Sequence, residues 1–152
     1  MLELTTGDLL AADVDALVNA VNTVGVMGKG LALQFKRAYP ANFRAYKAAC
    51  DAGTFAIGQV LTHDAGALAR PRYIINFPSK QDWRAPSRRE YIEDGLAALT
   101  REVRRLEIAS IAVPALGCGL GGLPWAEVLP RIAAAFHPLA DIRVMVFAPQ
   151  PL

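Results

Sequence analysis

Ile108-Ala-Ser-Ile-Ala-Val113-Pro-Ala-Leu116-Gly-Cys-Gly-Leu-Gly-Gly122-Leu-Pro-Trp-Ala126 contains no charged residue. At that length it is nearly enough to cross a bilayer. Pro114, Pro124 and four glycines would leave backbone groups unsatisfied in lipid, so a spanning helix is excluded. The alternative is a buried strand, Ile108–Val113, that breaks into a tight glycine loop. A strand with no polar alternation is covered on both faces, which is the signature of a parallel sheet flanked by helices.

The rest of the chain agrees. Leu2–Thr5, Val14–Asn19, Gln59–Thr62, Tyr73–Phe77 and Ile142–Phe147 read as further strands. Helices are expected between them. One begins at Ser87, where Ser87 and Glu90 match a capping box, and carries Ile92, Leu96, Leu99, Val103 and Leu106 at helical spacing. Another runs from about Lys29 to Arg37. Pro40 opens a third through Phe43 and Tyr46. A fourth lies between Pro124 and Phe136, where Pro130 kinks it or marks its first turn. The expected fold is α/β, with a mostly parallel sheet and helices on both faces.

The 152 residues are 53% hydrophobic and 20% charged, with sixteen Lys/Arg against fourteen Asp/Glu. That suits a single domain over 1–152 and argues against disorder. A charge of +2 neither requires nor forbids a polyanion, so a nucleic-acid reading rests on local clustering. Cys50 and Cys118 cannot staple a fold, and Glu3 stands where an export signal carries basic residues. A soluble cytoplasmic protein with no membrane association is expected.

In parallel sheets ligands bind beyond the carboxyl ends of the strands. Three loops qualify: 20–30, 78–84 and 114–122. The last points bare backbone amides at a helix start, which suits a phosphate or diphosphate. Gly117, Gly119 and Gly122 match G-x-G-x-x-G, but the acid that should end the next strand is missing, and the glycines equally serve a tight turn. Gly25, Gly28 and Gly30 give a second bare rim ahead of a helix. Asn22 either meets a ribose hydroxyl or bonds its own turn, and Asp8 either accepts a purine amino hydrogen or caps the next turn. Cys118 lacks a histidine base and reads as a loop residue. His63 and His137 are isolated, so neither a metal nor another cofactor is expected.

Thr-Gly-Asp-Leu at 6–9, Val-Asn-Ala-Val-Asn at 18–22 and Leu-Gly-Cys-Gly-Leu-Gly-Gly at 116–122 together resemble a macrodomain. More narrowly, Gly-Val-Met-Gly-Lys-Gly-Leu-Ala-Leu-Gln-Phe-Lys at 25–36, with Lys80 after a strand, resembles the DarG type. The resemblance implies a three-layer α/β/α sandwich that binds ADP-ribose and removes it from thymine bases of single-stranded DNA. This is an antitoxin activity opposing an ADP-ribosyltransferase toxin, so ADP-ribosylated DNA and that toxin are the implied partners. It further implies that Asp8 and Leu9 hold adenine. Gly117, Cys118, Gly119, Leu120 and Gly121 wrap the diphosphate. Asn22, Thr23, Gly28, Lys29 and Gly30 hold the distal ribose, and Lys80 carries the chemistry as nucleophile or base. DarG-type proteins generally continue into a further domain.

Two departures narrow this. The acidic position of Gly-Gly-Gly-Val-Asp-Gly loops is absent. A subfamily that cleaves ADP-ribose from glutamate places an aspartate where Gly121 stands. Removal from protein carboxylates or acyl esters is one rival activity, and mere reading of ADP-ribose another. Lys80 must lose a proton to act, so its pKa should lie below the usual value of about 10.4. Lys29 competes with it. Trp83 and Arg84, in a basic stretch that includes Arg88 and Arg89, are candidate DNA contacts, or else a salt-bridged helix start.

Overall fold

The computed structural model describes residues 2–149. Six strands form one sheet in the order β1-β6-β5-β2-β4-β3. They are β1 (Leu2–Thr5), β2 (Ala16–Val21), β3 (Leu61–Asp64), β4 (Tyr73–Pro78), β5 (Ser110–Val113) and β6 (Arg143–Phe147). All neighbours are parallel except β3, which runs antiparallel on the outer edge of β4. The helices are α1 (Gly30–Ala38), α2 (Pro40–Asp51), α3 (Arg89–Arg105) and α4 (Trp125–Phe136).

Alternation along the strands sorts the layers. Ala16, Val18, Ile75, Phe77, Ile111 and Val113 face one side and pack on Ile92, Leu96 and Leu99 of α3 and Ile132 of α4. Leu17, Ile74 and Ala112 face the other side, against Phe35 of α1. Val21, with Met27 from the following loop, packs on Tyr46 of α2. The expected three-layer α/β/α sandwich is therefore present.

Four sequence expectations need correction. The first strand after the opening one begins at Ala16 rather than Val14, and β5 at Ser110 rather than Ile108. One device delays both: the Asp15 carboxylate accepts from the amides of Ala109 and Ser110, and Ser110 Oγ accepts from the Asp15 amide. Side-chain bonds there replace a sheet ladder. β3 starts at Leu61 because Gln59 is taken by a turn, bonding Ala56 through backbone and side chain. Ser87 does not cap α3. Arg88 occupies the N-cap without a side-chain bond, and Ser87 Oγ donates instead to the Ser79 carbonyl. Pro130 lies inside α4, past its first turn.

A buried amide cluster was not anticipated. Asn76 of β4 donates to Asn42 Oδ1 of α2 at 2.8 Å and accepts from Asn42 and from Asn19 of β2 at 3.1 and 3.4 Å. All three are fully buried, so the cluster joins α2 to the middle of the sheet through bonds that water cannot replace.

Gly95 marks the closest approach of α3 to the sheet. A Cβ there would lie 2.2 Å from Phe77 Cζ, inside a fully buried ring. Helix propensity alone favours Gly→Ala by about 1 kcal/mol, whereas overpacking of a filled core costs about 1–3 kcal/mol. Because the ring cannot retreat, Gly95→Ala is expected to lower stability in denaturant unfolding; an increase would show that Phe77 has room to move.

Candidate functional site

The parallel strands all end at one rim, and a cavity of about 1190 Å³ opens there. Its walls are the loops after β1, β2, β4, β5 and β6 and the first turn of α1. Asp8, Leu9, Asn22, Gly28, Lys29, Gly30, Lys80, Trp83, Arg84, Gly117, Cys118, Gly119, Leu120 and Gly121 all line it. Thr23 is the exception. Its amide and hydroxyl both bond the Gln81 carbonyl, at 3.2 and 3.0 Å, and it faces a separate cleft.

The loop after β2 is held from inside. Asn22 is buried, and its Oδ1 accepts from Val24 N at 3.1 Å, Val26 N at 3.4 Å and Tyr46 Oη at 2.6 Å, while Nδ2 donates to the Val26 carbonyl at 2.8 Å. Of its two sequence readings, the turn amide is the one formed. Asn22 shapes the wall, and its carbonyl oxygen is already fully used. Burial pushes the Tyr46 phenol well above its usual pKa, keeping it a donor to that oxygen. Beyond this loop, α1 presents first-turn amides that have no carbonyl one turn earlier to bond.

The glycine loop is similarly fixed. Gly117 has φ +74°, and a Cβ there would meet Leu123 at 2.7 Å and Ser87 Oγ at 2.8 Å, so both backbone and packing demand glycine. Among the described residues, the amides of Gly119 and Leu120 have no internal acceptor and remain available to an anion. Gly121 packs on Ser87, whose amide donates to the Gly121 carbonyl at 2.9 Å. Through its Oγ the same Ser87 holds the Ser79 carbonyl, joining the glycine loop to the segment that carries Lys80.

Asp8 caps the 3-10 turn Leu9–Ala11 through Oδ1, at 3.1 Å from Leu10 N, which leaves Oδ2 free of that duty. Lys80 is half-buried, with Nζ donating to the Trp83 carbonyl at 3.4 Å. Burial lowers its pKa from the ordinary lysine value; the Asp82 carboxylate opposes that shift and the Lys29 ammonium assists it. Burial pushes the Cys118 thiol up to about 11, so it stays protonated at neutral pH and is no nucleophile. The basic stretch is partly spent on internal pairs: Arg84 bonds Asp82 at 3.3 Å and stacks over Trp83, and Arg89 lies 3.9 Å from Glu127. No metal-ligating cluster occurs among the described residues, and no helix there is long and apolar enough to cross a membrane.

Sequence reasoning missed Leu31 and Gln34 in α1, and Phe147 at the end of β6 with Ala148 and Pro149 after it. The carboxyl-end rule that selected three loops applies equally to β6 and would have found the last three.

Tyr46→Phe removes one bond from Asn22 without changing core volume. The expected loss is about 1–2 kcal/mol of unfolding free energy, with faster hydrogen exchange at the Val24 and Val26 amides. Unchanged exchange there would mean the loop does not depend on the phenol.

Comparison with known proteins agrees with this geometry. A DNA ADP-ribosyl glycohydrolase of Thermus aquaticus is 55% identical over 149 residues, which cover 98% of this chain and 41% of the relative. The chain thus spans under half the length of such curated relatives, 41% and 42% of two of them. The solved macrodomain of Mycobacterium tuberculosis DarG superposes with a TM-score of 0.97 at 53% identity, covering 99% of each chain. Thermosipho africanus DarTG in complex with ADP-ribose gives 0.90 at 34% identity, covering 99% of this chain and 43% of that one. The Macro domain family matches residues 18–132. With that match spread over most of the sheet and every loop at its rim but the first and last, this chain belongs to the macro domain family.

Proposed function

We propose that this domain removes ADP-ribose from thymine bases in single-stranded DNA by hydrolysing the N-glycosidic bond to the distal ribose. The observation that carries the reading is the half-buried Lys80 amine in the wall of a cavity that also presents the unbonded backbone amides of the glycine loop. The names of the 53–55% identical relatives support the same activity. A relative named as a DNA ADP-ribosyl transferase–glycohydrolase fusion supports a cognate toxin as partner.

In this reading the adenine lies between Leu9 and Phe147, its amino group meeting Asp8 Oδ2. The diphosphate sits over the Gly119 and Leu120 amides and the start of α1. The distal ribose then falls between the Asn22-braced loop and Lys80. As the bond from C1″ to the thymine nitrogen breaks, positive charge grows on the ribose, and Lys80 meets that centre with a lone pair. Water supplies the oxygen that ends on C1″, and thymine leaves with a proton on its nitrogen. Fixed amides hold the diphosphate without reorganising, so binding is converted into orientation of the scissile bond. Trp83 and Arg84 stand at the mouth, where the DNA strand enters.

Chemistry on protein glutamate is disfavoured by Gly121, which brings no carboxylate and whose added Cβ would sit 3.0 Å from Ser87 Cβ. Simple reading of ADP-ribose leaves the perturbed amine without a task.

Lys80→Ala is expected to lower release from ADP-ribosylated thymine in single-stranded DNA by about 10²–10⁴-fold, while calorimetry shows ADP-ribose binding retained. Release from ADP-ribosylated glutamate protein but not from DNA would overturn the reading, as would tight ADP-ribose binding with no release from either.

Activity requires the neutral Lys80 amine, so kcat/KM rises with pH, and the midpoint of that rising limb is expected below the ordinary lysine value. Asp82→Asn removes an attraction that favours the ammonium and moves the limb to lower pH; Lys29→Met removes a repulsion and moves it higher. Profiles that do not move would mean another group sets the limb.

A further inference from the structure

Among the described residues, four of the seven exposed large apolar side chains stand on the functional face, while Leu2, Leu4 and Leu68 lie elsewhere. Val26, Trp83 and Leu120 line the main cavity, and Val24 lines a second cleft of about 510 Å³ beside it. A domain that handled only a free nucleotide sugar would have no use for such a rim, because exposed apolar surface at a cavity mouth marks contact with something larger than the ligand inside.

The second cleft is built on the same two loops as the Lys80 end of the cavity. Thr23 and Gln81 are tied backbone to backbone at 3.2 Å, and this strap separates the two spaces. Asn22 and Lys80 face the main cavity, while Thr23, Gln81 and Asp82, their successors in the chain, face the cleft. Whatever is bonded to the sugar beside Lys80 therefore leaves the cavity next to this cleft.

We infer that the cleft receives the nucleobase adjacent to the modified thymine on the same strand. This rests on the DNA reading above and extends it to a flanking-nucleotide subsite. The apolar wall of Val24, Phe55 and Ile57 offers a surface for a flat ring, and the exposed Gln81 amide offers a donor and an acceptor to its edge. Asp82 decides which part of the nucleotide enters. It is paired with Arg84 at 3.3 Å, with the carboxylate on the cleft side and the guanidinium lining the main cavity, so phosphate is drawn to the guanidinium side rather than into the cleft. The base goes in and the backbone passes outside, along Trp83 and Arg84.

The test compares a single-stranded oligonucleotide carrying one ADP-ribosylated thymine, the same strand with abasic neighbours, and ADP-ribosylated thymidine as the free nucleoside. Gln81→Leu removes the side-chain donor and acceptor without adding a charge beside Lys80 and leaves the backbone strap intact; Ile57→Ser removes part of the apolar wall. Each is expected to lower kcat/KM about tenfold on the oligonucleotide while staying within about twofold of wild type on the nucleoside. The wild type should show the same roughly tenfold loss on the strand with abasic neighbours. Equal losses on strand and nucleoside, no loss on either, or indifference of the wild type to abasic neighbours would each overturn the subsite. So would variants that keep full activity on the strand but no longer bind the ADP-ribosyltransferase toxin, since the cleft would then belong to a protein partner. Should the wild type release nothing from strand or nucleoside, the DNA reading itself fails, and that result is distinct from the other four.

Discussion

The site depends on the register of β2 against β4. Six consecutive pairs, Ala16 with Tyr73 through Val21 with Pro78, set the two strands to end side by side. The next backbone bond, Ser79 N to the Val21 carbonyl at 2.9 Å, carries the alignment past the sheet, and the Thr23–Gln81 strap carries it two residues further. Asn22 and Lys80 therefore stand across one gap. Slipping the register by one residue would turn every side chain of one strand to the opposite face, placing Asn76 among Ile92 and Leu96 and Phe77 against the amide of Asn42. Both faces forbid that slip, so packing of the core fixes the site geometry.

Around that register, the loops are held by polar groups turned inward. Asn22 and Tyr46 hold one wall. Ser87 holds two at once, with its amide on Gly121 and its hydroxyl on Ser79. Each bond is buried, so breaking it would strand a donor or an acceptor, at a cost of about 1–3 kcal/mol. Loops with that many internal obligations keep their shape before a ligand arrives. Little conformational entropy then remains to be lost on binding, and more of the contact energy goes into holding the ligand.

The layers and the rim were legible because they rest on periodicity and on where apolar runs stop. The uncharged run at 108–126 announced a buried strand and a glycine loop, and both are present. Less legible was what a polar residue bonds. Ser87 and Glu90 carry the spacing of a capping box, yet the serine is drawn to the Ser79 carbonyl, a partner eight residues back that only the folded loop supplies. Asn22 and Asp8 each allowed two readings, and one-dimensional order could not rank a backbone amide two residues away against a ligand. Thr23 fell on the wrong side of the strap because neighbours along a loop face opposite walls. The Asn19–Asn42–Asn76 cluster joins residues up to 57 positions apart, and no local pattern encodes that.

The titratable inventory narrows the chemistry further. Among the described residues, the cavity is lined by Asp8, Lys29, Lys80, Arg84 and Cys118 as its ionisable side chains. Asp8 belongs to the loop after β1 and is partly committed to its cap, Cys118 is held protonated, and Arg84 is bonded to Asp82, which faces the other cleft. At the end between β2 and β4 the groups able to exchange a proton are amines. Lys29 is exposed at the mouth of α1, whereas Lys80 is half-buried and burial lowers its pKa from the ordinary lysine value. A bound diphosphate would draw that amine back toward the ammonium. Backbone amides, already partially positive toward the anion, weaken this pull without adding a full charge beside the lysine. In the proposed reading, neutral donors at the diphosphate and an amine of lowered pKa at the ribose are thus two halves of one electrostatic arrangement, and an arginine in place of the glycine loop would serve only the first.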